Sequence, residues 1–191
     1  LKHLLNTIPI RNSVNLADTT RINELNELSL EGMYDNPDTS VILGNLALHL
    51  CNDLLSDTLK ISNKNQQSAI YKFDILILKA TTLGNLGAFQ YVKANYPSAL
   101  TYNLNALKIN EFLLTLAKTI PEKQAALKRI AARLSNVGLI YWNLADYPKA
   151  LNYHLKALKI GEKLGNKNGI ATRLGNIGLV YYELADLPKA L

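Results

Sequence analysis

Cysteine, proline and glycine are all sparse in this 191-residue chain, and each shortage removes a class of architecture. A single cysteine, Cys51, leaves no internal disulfide framework and no cysteine-based zinc site. It does not decide the compartment, because a lone thiol survives in oxidising and reducing surroundings alike. Six prolines and 10 glycines are too few for collagen-like, linker-like or turn-dense all-β chains. No uncharged apolar run approaches the roughly 18 residues of a membrane span. The start, Leu1-Lys2-His3-Leu4-Leu5-Asn6, has neither the shape of a signal peptide nor an initiator Met. The chain is therefore expected to begin downstream of something removed. What is present is 48% hydrophobic and 19% charged residues, enough apolar surface for one domain or a short array with a buried core.

The net charge of +6 is uneven. Residues 1–95 carry 8 basic against 9 acidic side chains, whereas residues 96–191 carry 13 against 6. Such asymmetry points to an acidic partner or nucleic acid, or simply to a solvated face of lysine-rich helices. The nucleic-acid alternative draws on Lys123, Lys128, Arg129, Arg133, Lys163, Lys167 and Arg173 in the basic C-terminal half. These residues lack interleaved exposed aromatics, so the reading adopted is no nucleic acid.

Internal repetition organises the chain. Residues 134–151 read LSNVGLIYWNLADYPKAL and residues 174–191 read LGNIGLVYYELADLPKAL, 40 residues apart. Another copy, LGNLGAFQYVKANYPSAL, occupies 83–100, 51 residues before the first of these. A fainter one starts near Arg21, and its Ser40 stands 59 residues before Ala99. Within the unit Leu134, Val137, Gly138, Tyr141 and Leu144 lie on one helical face. Asp146-Tyr147-Pro148 breaks the helix, the residue before proline being pushed out of the α region. Ala150, Tyr153, His154, Ala157, Leu158 and Ile160 form the face of a second helix. Gly138 with Ala150 and Ala157 leaves room for an interaxial distance of roughly 8–10 Å. Gly87 with Ala99 and Ala106, and Gly178 with Ala190, repeat the arrangement. Interior glycine costs a helix about 1 kcal/mol against alanine, so its recurrence in register implies close packing.

The pattern predicts an all-α solenoid of antiparallel helix pairs, about three and a half repeats with lengthened helices. Copies are placed near 21–52, 66–119, 121–164 and 169–191, the last truncated, after an N-terminal segment 1–20 read as a short helix plus loop. Gln66 to Val92 reads as one helix, with a break near Asp74 as the alternative. Phe73, Ile77, Phe112, Leu116 and Ile130 are expected to add core beyond the standard unit. Because the last copy stops at Leu191, leaving Val180, Leu184 and Leu187 without a partner helix, the chain is expected to be part of a longer one. Pairing of that end with a second copy is the alternative.

These residues resemble the tetratricopeptide repeat family. The likeness rests on L-x-x-V-G-x-x-Y at Leu134 to Tyr141, on Ala150 and Ala157, and on the N-[LIV]-G triplets at 85–87, 136–138 and 176–178. It covers residues 21 to 191. The spacing exceeds the family's 34 residues, and the family's proline after the second helix is replaced by Glu162. Gln90 and Gly32 stand where the tyrosine belongs. The long-period form is similar to kinesin light chains and polarity adaptors. The run DTTRINELNELS at Asp18 to Ser29 looks most like the N-terminal repeats of bacterial sensor histidine kinases. The resemblance implies a right-handed superhelix and a protein or peptide partner held in a concave groove. It also implies a sensory or scaffold role in a longer bacterial signalling protein, with ligand altering the curvature of the array. A periplasmic position is favoured over a cytoplasmic one by the same resemblance alone. A structural oligomerisation scaffold, such as a homodimer, is the alternative.

Catalytic chemistry has no footing. The histidines His3, His49 and His154 are far apart, and no H-E-x-x-H or Cys/His metal spacing exists. The glycines at 84 and 87 lie inside a helix without a following Gly-Lys-Ser/Thr, so there is no phosphate loop. Expected, then, are no catalytic residues, no metal, no cofactor and no direct membrane contact. The resemblance places Asn85, Asn136 and Asn176 in the groove, where carboxamides suit the backbone of an extended peptide. Tyr91, Trp142 and Tyr182 follow, as aromatics with a polar tip. Leu139 and Leu179 make the groove apolar, and Asn143 and Glu183 give it polar edges. The competing reading is that the asparagines cross-link repeats and the aromatics pack on the next helix. The Lys/Arg clamp that some relatives use for a C-terminal carboxylate is missing, its places holding Thr81, Gly84, Ala132, Ser135, Thr172 and Gly175.

Overall fold

A computed structural model of the chain describes residues 16–60, 66–185 and Lys189. Among these residues all regular structure is helical, in seven elements. They are α1 (Leu16–Glu31), α2 (Pro37–Lys60), α3 (Gln66–Val92), α4 (Tyr96–Leu116), α5 (Ile120–Asn143), α6 (Tyr147–Lys163) and α7 (Lys167–Glu183). Of the segment 1–20, residues 16–20 belong to α1, and the rest lie outside the described residues together with Leu187 and Ala190. Helix α3 is continuous through Asp74.

The turns that follow α3, α5 and α6 are built alike. There the chain enters the left-handed region at Ala94 (φ 56°), Ala145 (φ 56°) and Gly165 (φ 63°). The next amide then reaches back to the helix, Asp146 N to Tyr141 O at 2.9 Å and Asn95 N to Gln90 O at 2.8 Å. This closure satisfies carbonyls that the helix end leaves open. The residue after it caps the following helix: Asp146 accepts from Lys149 N at 3.2 Å and Asn166 from Gly169 N at 3.1 Å. Tyr147 is already the first residue of α6. The break therefore lies one step earlier than the proline rule placed it, because Asp146 takes the non-helical conformation. Helix α5 starts differently, on a capping box in which Thr119 and Glu122 satisfy each other's backbone amides.

Each helix packs against the next in sequence, and α1 also touches α3 as α5 touches α7. The odd-numbered helices thus form one layer of the array and the even-numbered helices the other. Core runs between the layers: Ile22 and Leu25 of α1 meet Ala47, Cys51 and Leu54 of α2 and Ile75 of α3. Further along, Leu107 of α4, Ile130 and Leu134 of α5 and Ala157 of α6 close together. Two expected core residues are not core: Phe112 is 50% exposed and Leu116 42%. The buried stripe of α4 runs Ala99, Asn103, Ala106, Asn110 and Leu113, and residues 112 and 116 fall off it by about 100° per position.

Two glycine contacts set how closely the layers approach. A Cβ on Gly87 would meet Asn103 Nδ2, and one on Gly138 would lie 2.6 Å from the His154 ring. Asn103 and His154 each stand sixteen residues after their glycine, so the same pairing recurs in successive units. Gly175 on α7 has nothing within 4 Å of its missing Cβ. The expected outcome in urea denaturation is opposite in sign. Gly138→Ala should lose about 1–3 kcal/mol through overpacking, whereas Gly175→Ala should gain up to about 1 kcal/mol from helix propensity.

Candidate functional site

Between α3, α4 and α5 lies an open cavity of about 100 Å³. Gly87, Ala88 and Tyr91 line it from α3, Asn103 from α4, and Asn136, Leu139 and Ile140 from α5. Its origin is local: Gly87 and Ala88 supply little bulk where two odd-layer helices run side by side. Asn136 and Asn103 are linked, Nδ2 to Oδ1 at 3.3 Å, and Asn103 Nδ2 donates to Ala99 O at 2.9 Å. The lining thus combines two linked carboxamides with mostly apolar surface, a combination suited to a single side chain flanked by backbone.

Asn136, Tyr91 and Leu139, three of the residues singled out in the sequence, meet at this cavity. Asn143 adjoins them but does more than edge a groove. It donates to Tyr91 Oη at 2.9 Å and to Leu139 O at 2.9 Å, and it accepts from Tyr96 Oη at 3.0 Å. It therefore joins α5 to both helices of the preceding pair. Glu183, 40 residues on, accepts from Tyr147 Oη at 3.4 Å in the corresponding position. Asn85 is half-buried one turn from the cavity, its Nδ2 buried without an acceptor. The Trp142 Nε1 is buried and unbonded as well. On α7 Asn176 is half-buried, Leu179 is 54% exposed and Tyr182 64%, away from the cavity.

Two contributors were not placed in the groove by sequence reasoning, which named Arg133 only for the nucleic-acid alternative and Asn103 not at all. Asn103, in the second helix of its pair, is 1% exposed and supplies the cavity floor. Its signal is the sixteen-residue offset from Gly87. The other is Arg133, whose guanidinium lies where a Cβ on Gly84 would stand. Burial lowers its pKa from the ordinary arginine value, as it does for Arg129 and Arg173. Arg129 donates to Asn110 Oδ1 at 3.0 Å, and Arg133 has no such acceptor among the described residues. Cys51 is buried beneath this layer with its thiol pushed up to about 11 by desolvation, so it stays protonated and inert.

Compared with known proteins, residues 129–191 match the family model described as tetratricopeptide repeat. No curated protein is similar enough in sequence to match. The apo form of RapI, a solved structure, superposes with a TM-score of 0.69 at 16% identity, covering 95% of this chain and 41% of its own. BtubC (BKLC) from P. vanneervenii superposes with a TM-score of 0.51 at 16% identity, covering 92% of this chain and 70% of its own. Likeness at such identity concerns the fold. The chain spans about two-fifths of the RapI chain. None of the described helices is long and apolar enough to cross a membrane.

Two expectations follow from these contacts. Asn143→Ala strands two tyrosine hydroxyls and should cost about 1–3 kcal/mol. A double-mutant cycle with Tyr96→Phe in urea should return a coupling of roughly 0.5–1.5 kcal/mol. His154 is 1% exposed and its pKa is lowered to about 4, first by burial and then by the Arg173 charge. Its folded pKa lies below the unfolded value of about 6.5, so its stabilisation is complete above pH ~6.5 and is lost as pH falls toward ~4. The loss should approach ~3 kcal/mol. Thermal melts across that window should flatten in His154→Asn, the residue type found at Asn103.

Proposed function

We propose that the described array as a whole is built of tetratricopeptide repeats, a reading supported by the family match over residues 129–191 and by the likeness in fold along the array. On that premise we propose that it is a protein interaction module that takes an extended peptide segment along the odd-helix layer. The observation that carries this is the α3–α4–α5 cavity, whose lining joins the apolar Ala88, Leu139 and Ile140 to the polar groups of Asn136, Asn103 and Tyr91. Exposed Leu179 and Tyr182 continue the same layer on α7 and offer apolar area to the same ligand. Asn176 and Glu183 stand beside them. Asn85 and Trp142 each carry a buried N–H with no acceptor among the described residues.

The wider role proposed is the sensory or scaffold part of a longer signalling protein. The DTTRINELNELS run of α1 supports it by resemblance, and so does the quasi-one-dimensional construction, in which strain at one pair passes to its neighbours. Ligand that binds one curvature of the array better than another shifts the population toward it. A structural scaffold is the second reading. Phe112, Leu116 and Ile120, exposed together around the α4–α5 connection, favour it.

The test is selection of random octapeptides displayed on phage by wild type, followed by affinity measurement with Ala88→Leu. Ala88 lines the cavity without donating or accepting a side-chain hydrogen bond, so the larger residue fills the space and leaves the polar contacts intact. Selected peptides should weaken by about tenfold or more, equivalent to ~1.4 kcal/mol. Recovery of no peptide, with a dimer in light scattering that Phe112→Ser dissolves, would transfer the assignment to the scaffold.

A further inference from the structure

Gly84 is one of the places where the sequence lacks a cation, yet a cation covers it in the fold. Arg133 reaches from α5 across α3, and its guanidinium occupies the space that any side chain at 84 would fill. The residue is half-buried and has no hydrogen bond or ion pair among the described residues. None of its nitrogens is both sealed from solvent and unbonded, unlike the Arg173 Nε, so each keeps some exposure to solvent.

No acid forms an ion pair with it among the described residues. The acidic residues of α3 and α5 are Asp74 and Glu122 alone. They stand ten residues from Gly84 and eleven from Arg133, roughly 15 Å along the helix axes. Glu122 is moreover committed to the backbone amides of Lys118 and Thr119. Next to Gly84, the Asn85 Nδ2 also lacks an acceptor, which puts a second unmatched donor at the same turn. Desolvation weakens the hold of water on the charge without supplying a counter-ion, and arginine does not escape by deprotonating.

We infer that the segment bound in this groove is acidic, with a carboxylate that pairs with Arg133 above Gly84 and an apolar side chain that enters the neighbouring cavity. This rests on the groove reading proposed above. The spacing follows from the helices. From Gly84 and Arg133 to the middle of the cavity is about five residues along α3 and α5, or roughly 7–8 Å. In an extended peptide, side chains on one face recur every two residues, at about 6.6 Å. The recognised pattern is therefore an acidic and an apolar residue separated by one position, in either chain direction. A bidentate carboxylate–guanidinium pair fits the planar fork of arginine and supplies direction as well as affinity.

Fluorescein-labelled octapeptides on a Gly-Ser background test this by anisotropy. The probes carry Glu-Ser-Leu or Leu-Ser-Glu, with Gln-Ser-Leu, Lys-Ser-Leu and Glu-Ser-Ser as comparisons. Wild type should bind one Glu/Leu order about tenfold or more tighter than its Gln counterpart. Raising salt from roughly 50 to 200 mM should narrow the gap. Arg133→Gln should bind the Glu and Gln peptides alike, and Arg133→Glu should prefer the Lys peptide. Far-UV circular dichroism confirms that both variants are folded. Gly84→Ala, which displaces the guanidinium without removing it, provides a second route to the same loss. Equal binding of Glu and Gln peptides by wild type, still weakened by Ala88→Leu, would overturn the acidic assignment and leave the groove standing. Binding of none of the probes or phage-selected peptides would overturn both. Arg133-dependent binding of a single-stranded RNA dodecamer in place of the peptides would overturn the acidic-peptide assignment in favour of phosphate.

Discussion

The close approach of helix layers at Gly87–Asn103 and Gly138–His154 is the constraint on which the array depends. A missing Cβ on the odd layer admits a polar side chain from the even layer, and the imidazole or carboxamide then fills the space edge to backbone. Interior protein packing leaves no slack for a methyl group at such a point. Glycine is tolerated there despite its cost to the helix because the contact governs where every neighbouring side chain falls. Once α3 and α4 are this close, Asn103 reaches Asn136 on α5, and one pair is tied to the next.

From that approach a polar seam follows. Asn143 and Glu183 repeat one arrangement with different chemistry. Asn143 both donates and accepts, and it engages two tyrosine hydroxyls. Glu183 accepts only, and its partner is the hydroxyl of Tyr147. The aromatic that corresponds to Tyr91 in that unit is Trp142, whose indole can only donate. Donor and acceptor capacities have therefore changed on both sides of the seam together. Residues that resemble ligand contacts in sequence are in part the ties between repeats, and at Asn143 the tie dominates. Asn136 is such a tie as well as a cavity-lining residue, since its carboxamide bonds Asn103 where it borders the open cavity.

The same layer carries an unbalanced charge. Arg133 lies over a glycine with no ion pair among the described residues, in the half of the chain where basic residues outnumber acidic ones. A solvated lysine on a helix face carries little information about a partner, because water satisfies it. A half-desolvated guanidinium held against a backbone is different: its direction is set, and what it lacks is an anion.

Helix pairing, the glycine register and the rows of asparagine and aromatic residues were legible along the chain, because a helix repeats every 3.6 residues and each of these signals lies within a few turns. Helix α3 is continuous, as one of the two sequence readings had it, and Tyr91, Asn136 and Leu139, read from the sequence as groove residues, line one cavity. Three matters waited for the tertiary structure. Phe112 and Leu116 look like core by composition but fall off the inward stripe of α4, a question of which face the packed helix turns. The three-way bond of Asn143 joins residues 47 and 52 positions away, across a turn whose left-handed alanines no propensity would select. Arg133 reaches Gly84 only because α3 and α5 run alongside each other at one particular axial offset. That offset depends on the lengthened α4 and its connection to α5, and local periodicity does not encode it.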